Sequence, residues 1–326
     1  MLVVGSLLLF AVVVLAASAL LTWRLGRTIE KENPPVGRLI DTGPARIHLV
    51  DLKPEAPAPT DVPSAGAPPA VLLLHGANVQ HTDMRVALGD RLARRLRVLL
   101  PDRPGQGWSG EGGPEVSDPG HQVALIRTAV ETVGAGPLIV VGHSLGGLIA
   151  LRYALDEPGA VKGLVLINPT THPRPGGLPW FQRVAEVLFV GPLIWTVLLP
   201  ATLPMMDRLV TRLFRPEPPR RDYAARTALA LALTPRRFRN SMTEYSDLRD
   251  HLVAVAPRYP DVTVPTVVVV AEADPIVPAA LHGEVLAKVL PHGRLVRIPA
   301  AGHMAHHRHA EVIAAEIERL AGLPPA

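Results

Sequence analysis

The sequence predicts an α/β fold, a mostly parallel sheet flanked by helices, on three observations. Between Ala70 and Pro169, short apolar runs alternate with stretches of helical periodicity, the rhythm of strands joined by crossover helices. Those runs are apolar at nearly every position, as strands covered on both faces must be. The rhythm then breaks from Thr170 to about Pro260, a helical stretch rich in Leu, Pro and Arg with no convincing strand, and returns afterwards. One sheet domain interrupted by one inserted helical lid accounts for all three, and 326 residues suffice for it.

The elements follow in order. "MLVVGSLLLFAVVVLAASALLTW" is 23 residues without a charge, enough for a helix to span about 30 Å of hydrocarbon. Residues 1–23 are therefore expected to be an uncleaved transmembrane anchor. Arg24, Arg27 and Lys31 follow the span and nothing basic precedes it, which puts the main domain on the cytoplasmic side. A cleaved signal peptide, with "ASA" at 17–19 as its cleavage site and a secreted domain as its product, is the alternative; the n-region without Lys or Arg speaks against it. Residues 24–37 read as a polar, Pro-containing linker.

"GRLIDTGPARIHLVDL" reads as two short strands around a Gly-Pro turn. "KPEAPAPTDVPSAGAPPA" (53–70) reads as an extended Pro/Ala loop. "AVLLLHG", "RVLLPD", "PLIVVGH" and "VKGLVLINP" are the next strands, with helices at "MRVALGDRLARRL", "GHQVALIRTAVETVG" and "LGGLIALRYALDEP" between them. After the lid, "TVPTVVVVAEAD" and "GRLVRIPAAGH" complete the sheet, and "HGEVLAKVLP" and "HAEVIAAEIERLAG" supply the last helices. The expected organisation is anchor 1–23, linker 24–37, first part of the core 38–169, lid 170–260 and second part of the core 261–322.

Composition excludes several chemistries. The chain has no cysteine, so it has no disulfide, thiolate nucleophile or Cys-ligated metal. A net charge of +4 with no basic patch interleaved with aromatics argues against a nucleic-acid partner. The apolar fraction of 48% and mean hydropathy of +0.23 reflect the N-terminal span and a core of Val, Leu and Ala.

The chemistry is expected at Gly142-His143-Ser144-Leu145-Gly146, a G-x-S-x-G sequence between a strand and a helix. Small residues let the chain turn sharply there, which exposes the Ser144 hydroxyl above the sheet, and the N–H of Leu145 opens the next helix toward any developing negative charge. A serine needs a base, and the base needs a carboxylate to orient it. Asp274 follows the strand "VVVVAEA" and His303 follows "RLVRIPAAG", so both fall beyond carboxyl ends of strands, where parallel sheets gather reactive groups. Glu272 is the rival acid. His303, His306, His307 and His309 have the spacing of a metal cluster, but no acidic residue is interleaved, and a triad histidine is incompatible with tight metal ligation.

On these residues the chain resembles an α/β-hydrolase-fold serine hydrolase with a helical lid, over roughly residues 36–322. "LLLHGAN" resembles that family's His-Gly oxyanion loop, which implies that the N–H of Ala77 pairs with that of Leu145. "DRPGQGWS" is similar to its D-x-P-G-x-G-x-S turn, with Gln106 where histidine is common; "EADPIVP" and "AGHMAHHRHAEVI" match its acid and histidine blocks. The resemblance implies catalytic Ser144, Asp274 and His303, no cofactor and no metal. It also implies that Asp102 and Arg103 shape the loop beside the pocket and that His75 orients the oxyanion loop. The implied reaction is hydrolysis of an ester or related acyl compound, apolar in keeping with the lid. C–C bond or thioester hydrolysis and perhydrolase chemistry fit the same triad, and a catalytically silent anchored scaffold is the reading from a different class. The uncharged segment 187–206 is expected to be a broken apolar lid helix, rimmed by Arg183, Arg208, Arg212, Arg215, Arg220 and Arg221.

Overall fold

The computed structural model describes residues 2–54, 68–174, 200 and 202–324. Helix α1 (Leu2–Glu32) precedes β1 (Arg38–Asp41), β2 (Arg46–Leu52) and β3 (Ala70–Leu74). α2 (His81–Met84), a π-helical turn (Arg85–Gly89) and α3 (Asp90–Leu92) make one bent helical segment, followed by β4 (Val98–Pro101), α4 (Pro119–Thr132), β5 (Leu138–His143), α5 (Leu145–Asp156) and β6 (Val161–Ile167). The described part of the lid holds α6 (Met206–Phe214), α7 (Tyr223–Arg226), α8 (Leu229–Ala232) and the long α9 (Pro235–Val255). β7 (Thr266–Ala271), α10 (Gly283–Val289), β8 (Gly293–Ile298), α11 (Ala305–Arg308) and α12 (Ala310–Leu320) complete the chain.

The eight strands form one sheet in the order β1-β2-β4-β3-β5-β6-β7-β8, antiparallel at β1/β2 and β2/β4 and parallel elsewhere. Alternate residues of each central strand feed two cores. Leu72, Leu74, Val140, Leu164, Leu166, Val268 and Val270 face α4 and α5, whereas Val71, Leu73, Ile139, Val141, Val165, Val267 and Val269 pack with Leu88, Leu92, Ile313 and Ile317 on the other side. Burial on both faces is why these strands read as continuous apolar runs rather than alternating ones.

The expected linker at 24–37 is corrected in its first two-thirds: α1 continues unbroken to Glu32. Its last turns have a tertiary partner. Ile29 is buried against Leu231, with Leu25, Trp108 and Leu233 packed alongside. Glu30 reaches the buried Arg237 guanidinium at 2.8 Å, and the Trp108 indole donates to the Asn33 carbonyl at 3.0 Å. The helix stops where the Asn33 side chain folds back onto the Ile29 carbonyl and Pro34-Pro35 follow, which cannot continue it. Upstream, Leu9, Phe10, Val12, Val13, Val14, Leu20, Leu21 and Trp23 are exposed. By length and composition Val12–Glu32 could cross a membrane.

Most of the uncharged segment 187–206, together with Arg183 and the centre of the 53–70 loop, lies outside the described residues. Within the described lid, α6 buries Val210 and Phe214 against Tyr223, Leu229, Met304 and Val79 and leaves Arg208 and Arg212 exposed. Helix α9 starts with Pro235 at its first position, where the missing N–H costs nothing. Its buried face, including Asn240, Ser241, Glu244, Leu252 and Val255, lies against the core.

Candidate active site

The turn from β5 into α5 is built by glycines that leave no room for a side chain. A Cβ at Gly142 would overlap the Gly146 carbonyl, and one at Gly146 would overlap the Leu74 carbonyl. Ser144 sits between them at φ 53° and ψ −117°, a strained conformation for a residue with a side chain. The surroundings hold it there: its N–H donates to Ile167, and its carbonyl accepts from Gly147 and Thr170. Ser144 therefore opens the N-terminus of α5, with Leu145 as the first helical residue.

His303 and Asp274 arrive from the loops after β8 and β7. The His303 Nδ1–H donates to Asp274 Oδ2 at 2.7 Å, which leaves Nε2 as the lone-pair nitrogen. The other oxygen of Asp274 accepts the N–H groups of Ile276 at 2.7 Å and Val277 at 2.9 Å, so the buried carboxylate has partners at both oxygens. Glu272 is exposed and lies 3.8 Å from Arg297, away from this pair. Ser144 and His303 line one cavity of ≈ 390 Å³, which Gly76 and Ala77 close on one side and Val79, Leu213, Leu248, Leu252, Ile276 and Val277 make apolar.

Two supporting residues escaped the sequence reading. Asn168, at the end of β6 with φ 42°, accepts from the Ala271 N–H at 2.7 Å and donates to the His303 carbonyl at 3.0 Å, tying the histidine loop to the sheet. Its only sequence signal was a polar residue closing an apolar strand. Asp83 supplies the carboxylate thought absent from the histidine cluster, from 220 residues upstream. It accepts from His306 at 2.9 Å, His307 at 2.8 Å and Tyr223 at 2.8 Å. Burial alone would push the Asp83 carboxyl up, but the charge and hydrogen bonding of the two imidazoles outweigh it and hold it well below the ordinary carboxylate value. Burial lowers His306 to about 4. It also drives His143 well below its ordinary value, and the His143 Nε2–H donates to the His303 carbonyl at 3.0 Å.

Among the described residues two groups bring three metal-ligating atoms within 4.8 Å of one another, His48/His81/Asp102 and Asp83/His143/His306. In the first group both imidazoles donate to the carboxylate, and in the second His306 does. Asp102 also receives the N–H of Trp108 at 2.8 Å. His75 accepts the Arg103 N–H at Nε2 and donates from Nδ1 to the Gly76 carbonyl; burial, with the Arg103 charge, lowers it to about 3, so it is neutral at physiological pH.

Across residues 69–310 the sequence matches the family described as alpha/beta hydrolase fold. The chain belongs to that family. It is 30% identical to a pimeloyl-[acyl-carrier protein] methyl ester esterase of Xanthomonas campestris over 272 residues, covering 79% of this chain and 98% of that one. It is 31% identical over 260 residues to the polyketide synthase ThaQ of Burkholderia thailandensis, of whose length it spans 12%. An alpha/beta hydrolase fold protein from Burkholderia ambifaria superposes with a TM-score of 0.69 at 24% identity, covering 87% of this chain and 97% of that one. The mostly parallel eight-stranded sheet agrees with the family's fold.

Proposed function

We propose that this alpha/beta hydrolase is a serine esterase acting on an apolar acyl substrate through an acyl-enzyme. The observation that carries the reading is the His303–Asp274 hydrogen bond in the same cavity as the strained Ser144. His303 Nε2 takes the Ser144 proton as Oγ attacks the substrate carbonyl, and the N–H groups of Ala77 and Leu145 receive the developing oxyanion. Collapse expels the alcohol, which takes the proton from His303. Water then repeats the sequence and releases the acid. Asp274 holds the tautomer in which Nε2 is free to act. The apolar lining suits an acyl chain, and a methyl ester esterase among the relatives supports an ester over a C–C bond or thioester. No metal or cofactor takes part in these steps. Helix α1 is proposed to anchor the enzyme in a membrane, with the hydrolase domain on the cytoplasmic side.

A fluorophosphonate probe is expected to label the wild type, and the Ser144→Ala variant is expected to take none. Hydrolysis of p-nitrophenyl esters of increasing chain length should fall by roughly 10³-fold or more in Ser144→Ala, His303→Ala and Asp274→Ala, with double variants losing little more because the three act as a unit. Wild-type labelling at a residue other than Ser144, or full activity in Asp274→Ala, would refute the assignment. A wild type that takes no label and hydrolyses no ester would favour the silent scaffold.

A further inference from the structure

We propose that Arg103, gripped by Glu244 of lid helix α9, is a positioning residue that holds the Gly76–Ala77 peptide with its N–H toward Ser144. The inference rests on the serine-hydrolase reading above and adds to it a mechanical link between lid and oxyanion site.

A trans peptide points its carbonyl and its N–H in opposite directions, so whatever fixes the Gly76 carbonyl aims the Ala77 N–H. That carbonyl accepts from His75 Nδ1 at 2.8 Å and from Arg103 Nη2 at 3.2 Å. Arg103 also donates from Nε to the His75 carbonyl at 3.0 Å and from its backbone N–H to His75 Nε2 at 2.9 Å. One arginine thus holds both residues of the loop from the side opposite the cavity. Gly76 is close enough to the nucleophile that an added Cβ would lie 3.3 Å from the Ser144 Cβ, so a small rotation of this peptide changes what the serine faces.

The guanidinium is wholly buried, and its counter-charge comes from the lid. Nη1 and Nη2 pair with the two oxygens of Glu244, the second at 3.1 Å. Gln122 donates to Glu244 at 2.9 Å and Gln106 at 3.3 Å. The next residue of α9 makes a second tie: Asn78 donates to the Tyr245 hydroxyl at 3.1 Å. Tyr245, Leu248 and Leu252 of the same helix line the cavity. An acyl chain pressing on α9 therefore acts on the helix that sets the oxyanion donor. A fork-shaped donor is required, since one guanidinium serves two carbonyls and a carboxylate together.

The test compares wild type with Arg103→Lys and Glu244→Asp, which keep both buried charges while removing the fork or shortening its partner. Readouts are kcat and KM on a short p-nitrophenyl ester, the rate of fluorophosphonate labelling of Ser144, and thermal unfolding. The expected result is a 10- to 100-fold fall in kcat, the size of losing part of an oxyanion donor, with KM changed less than about threefold and labelling slowed in proportion to kcat. A variant that unfolds cooperatively yet keeps wild-type kcat and labelling rate overturns the proposal, as does a loss confined to KM. If Arg103→Lys does not fold, Glu244→Asp carries the same comparison. A wild type that neither hydrolyses ester nor takes label instead overturns the serine-hydrolase reading itself.

Discussion

At the residue scale, two of the buried histidines beside the site, His306 and His75, give it a pH signature. His306 is lowered to about 4 and His75 to about 3, chiefly by burial, against an ordinary value near 6.5 in the unfolded chain. Below pH 6.5 the unfolded chain binds protons that the folded protein refuses. Stability is therefore complete above about 6.5 and is lost as pH falls toward 4 for His306 and 3 for His75. The His306 contribution is on the order of 3 kcal/mol. In His306→Gln, the amide can still donate to Asp83 but does not titrate. Denaturant unfolding between about pH 4.5 and 6 should then give a stability curve shallower by up to one proton, roughly 1.4 kcal/mol per pH unit, with no difference above about pH 7. An unchanged slope would mean that His306 is not the group that titrates. Ser144, Asp274 and His303, the proposed nucleophile, acid and base, were legible in the sequence because each lies in the turn or loop just after a strand of the sheet. Asp83 and Glu244 were not, because their partners lie 224 and 141 residues away and no local pattern marks a carboxylate that a distant cation will bury.

At the element scale the two helices that matter most are α1 and α9, and they meet. The sequence identified α1 as an apolar span but placed its end at Trp23, since Arg24 to Glu32 looks polar in isolation. The docked turns depend on Glu30 meeting Arg237, 207 residues later, and on Ile29 meeting Leu231; hydropathy carries neither contact. Removing residues 1–32 would expose Leu231 and take the Glu30 carboxylate from the Arg237 guanidinium, which would keep its bonds to the Gly107 carbonyl and the Thr234 hydroxyl. Loss of a buried aliphatic contact and of a buried ion partner together costs about 3–5 kcal/mol, and a deletion starting at Asn33 should lower Tm by roughly 10 °C. Deleting only residues 1–17 keeps every one of those contacts and should leave Tm unchanged, and Glu30→Gln should fall between. Identical melting of the protein with and without residues 18–32 would show that the docked turns add nothing to the lid. The strands themselves and the G-x-S-x-G turn were legible for the opposite reason: strand, turn and helix follow one another in the chain.

At the scale of the whole molecule, this docking would change what α1 does as the proposed anchor. Residues 2–21 of a helix rising 1.5 Å per residue cover about 30 Å, the thickness of the hydrocarbon core, and the exposed apolar side chains of α1 fall within or beside that stretch. Burial against the lid begins immediately afterwards, at Thr22 and Ile29. In the proposed anchored arrangement the domain would be held without a flexible tether, with α8 and α9 next to the bilayer surface and the exposed Arg24 and Arg27 at headgroup level, where anionic lipid would attract them. A lipid-partitioned ester would meet the enzyme at the high local concentration of a linked pair. The comparison that isolates this effect uses the deletion of residues 1–17, because it spares the lid. On a short ester in solution it should match the full chain. On a long-chain ester carried in anionic vesicles it should be slower by on the order of tenfold or more, and 0.5 M salt should remove part of the full chain's advantage by screening the headgroups. Equal rates on vesicle-borne ester would mean that α1 fixes where the enzyme resides and has no part in how substrate reaches Ser144.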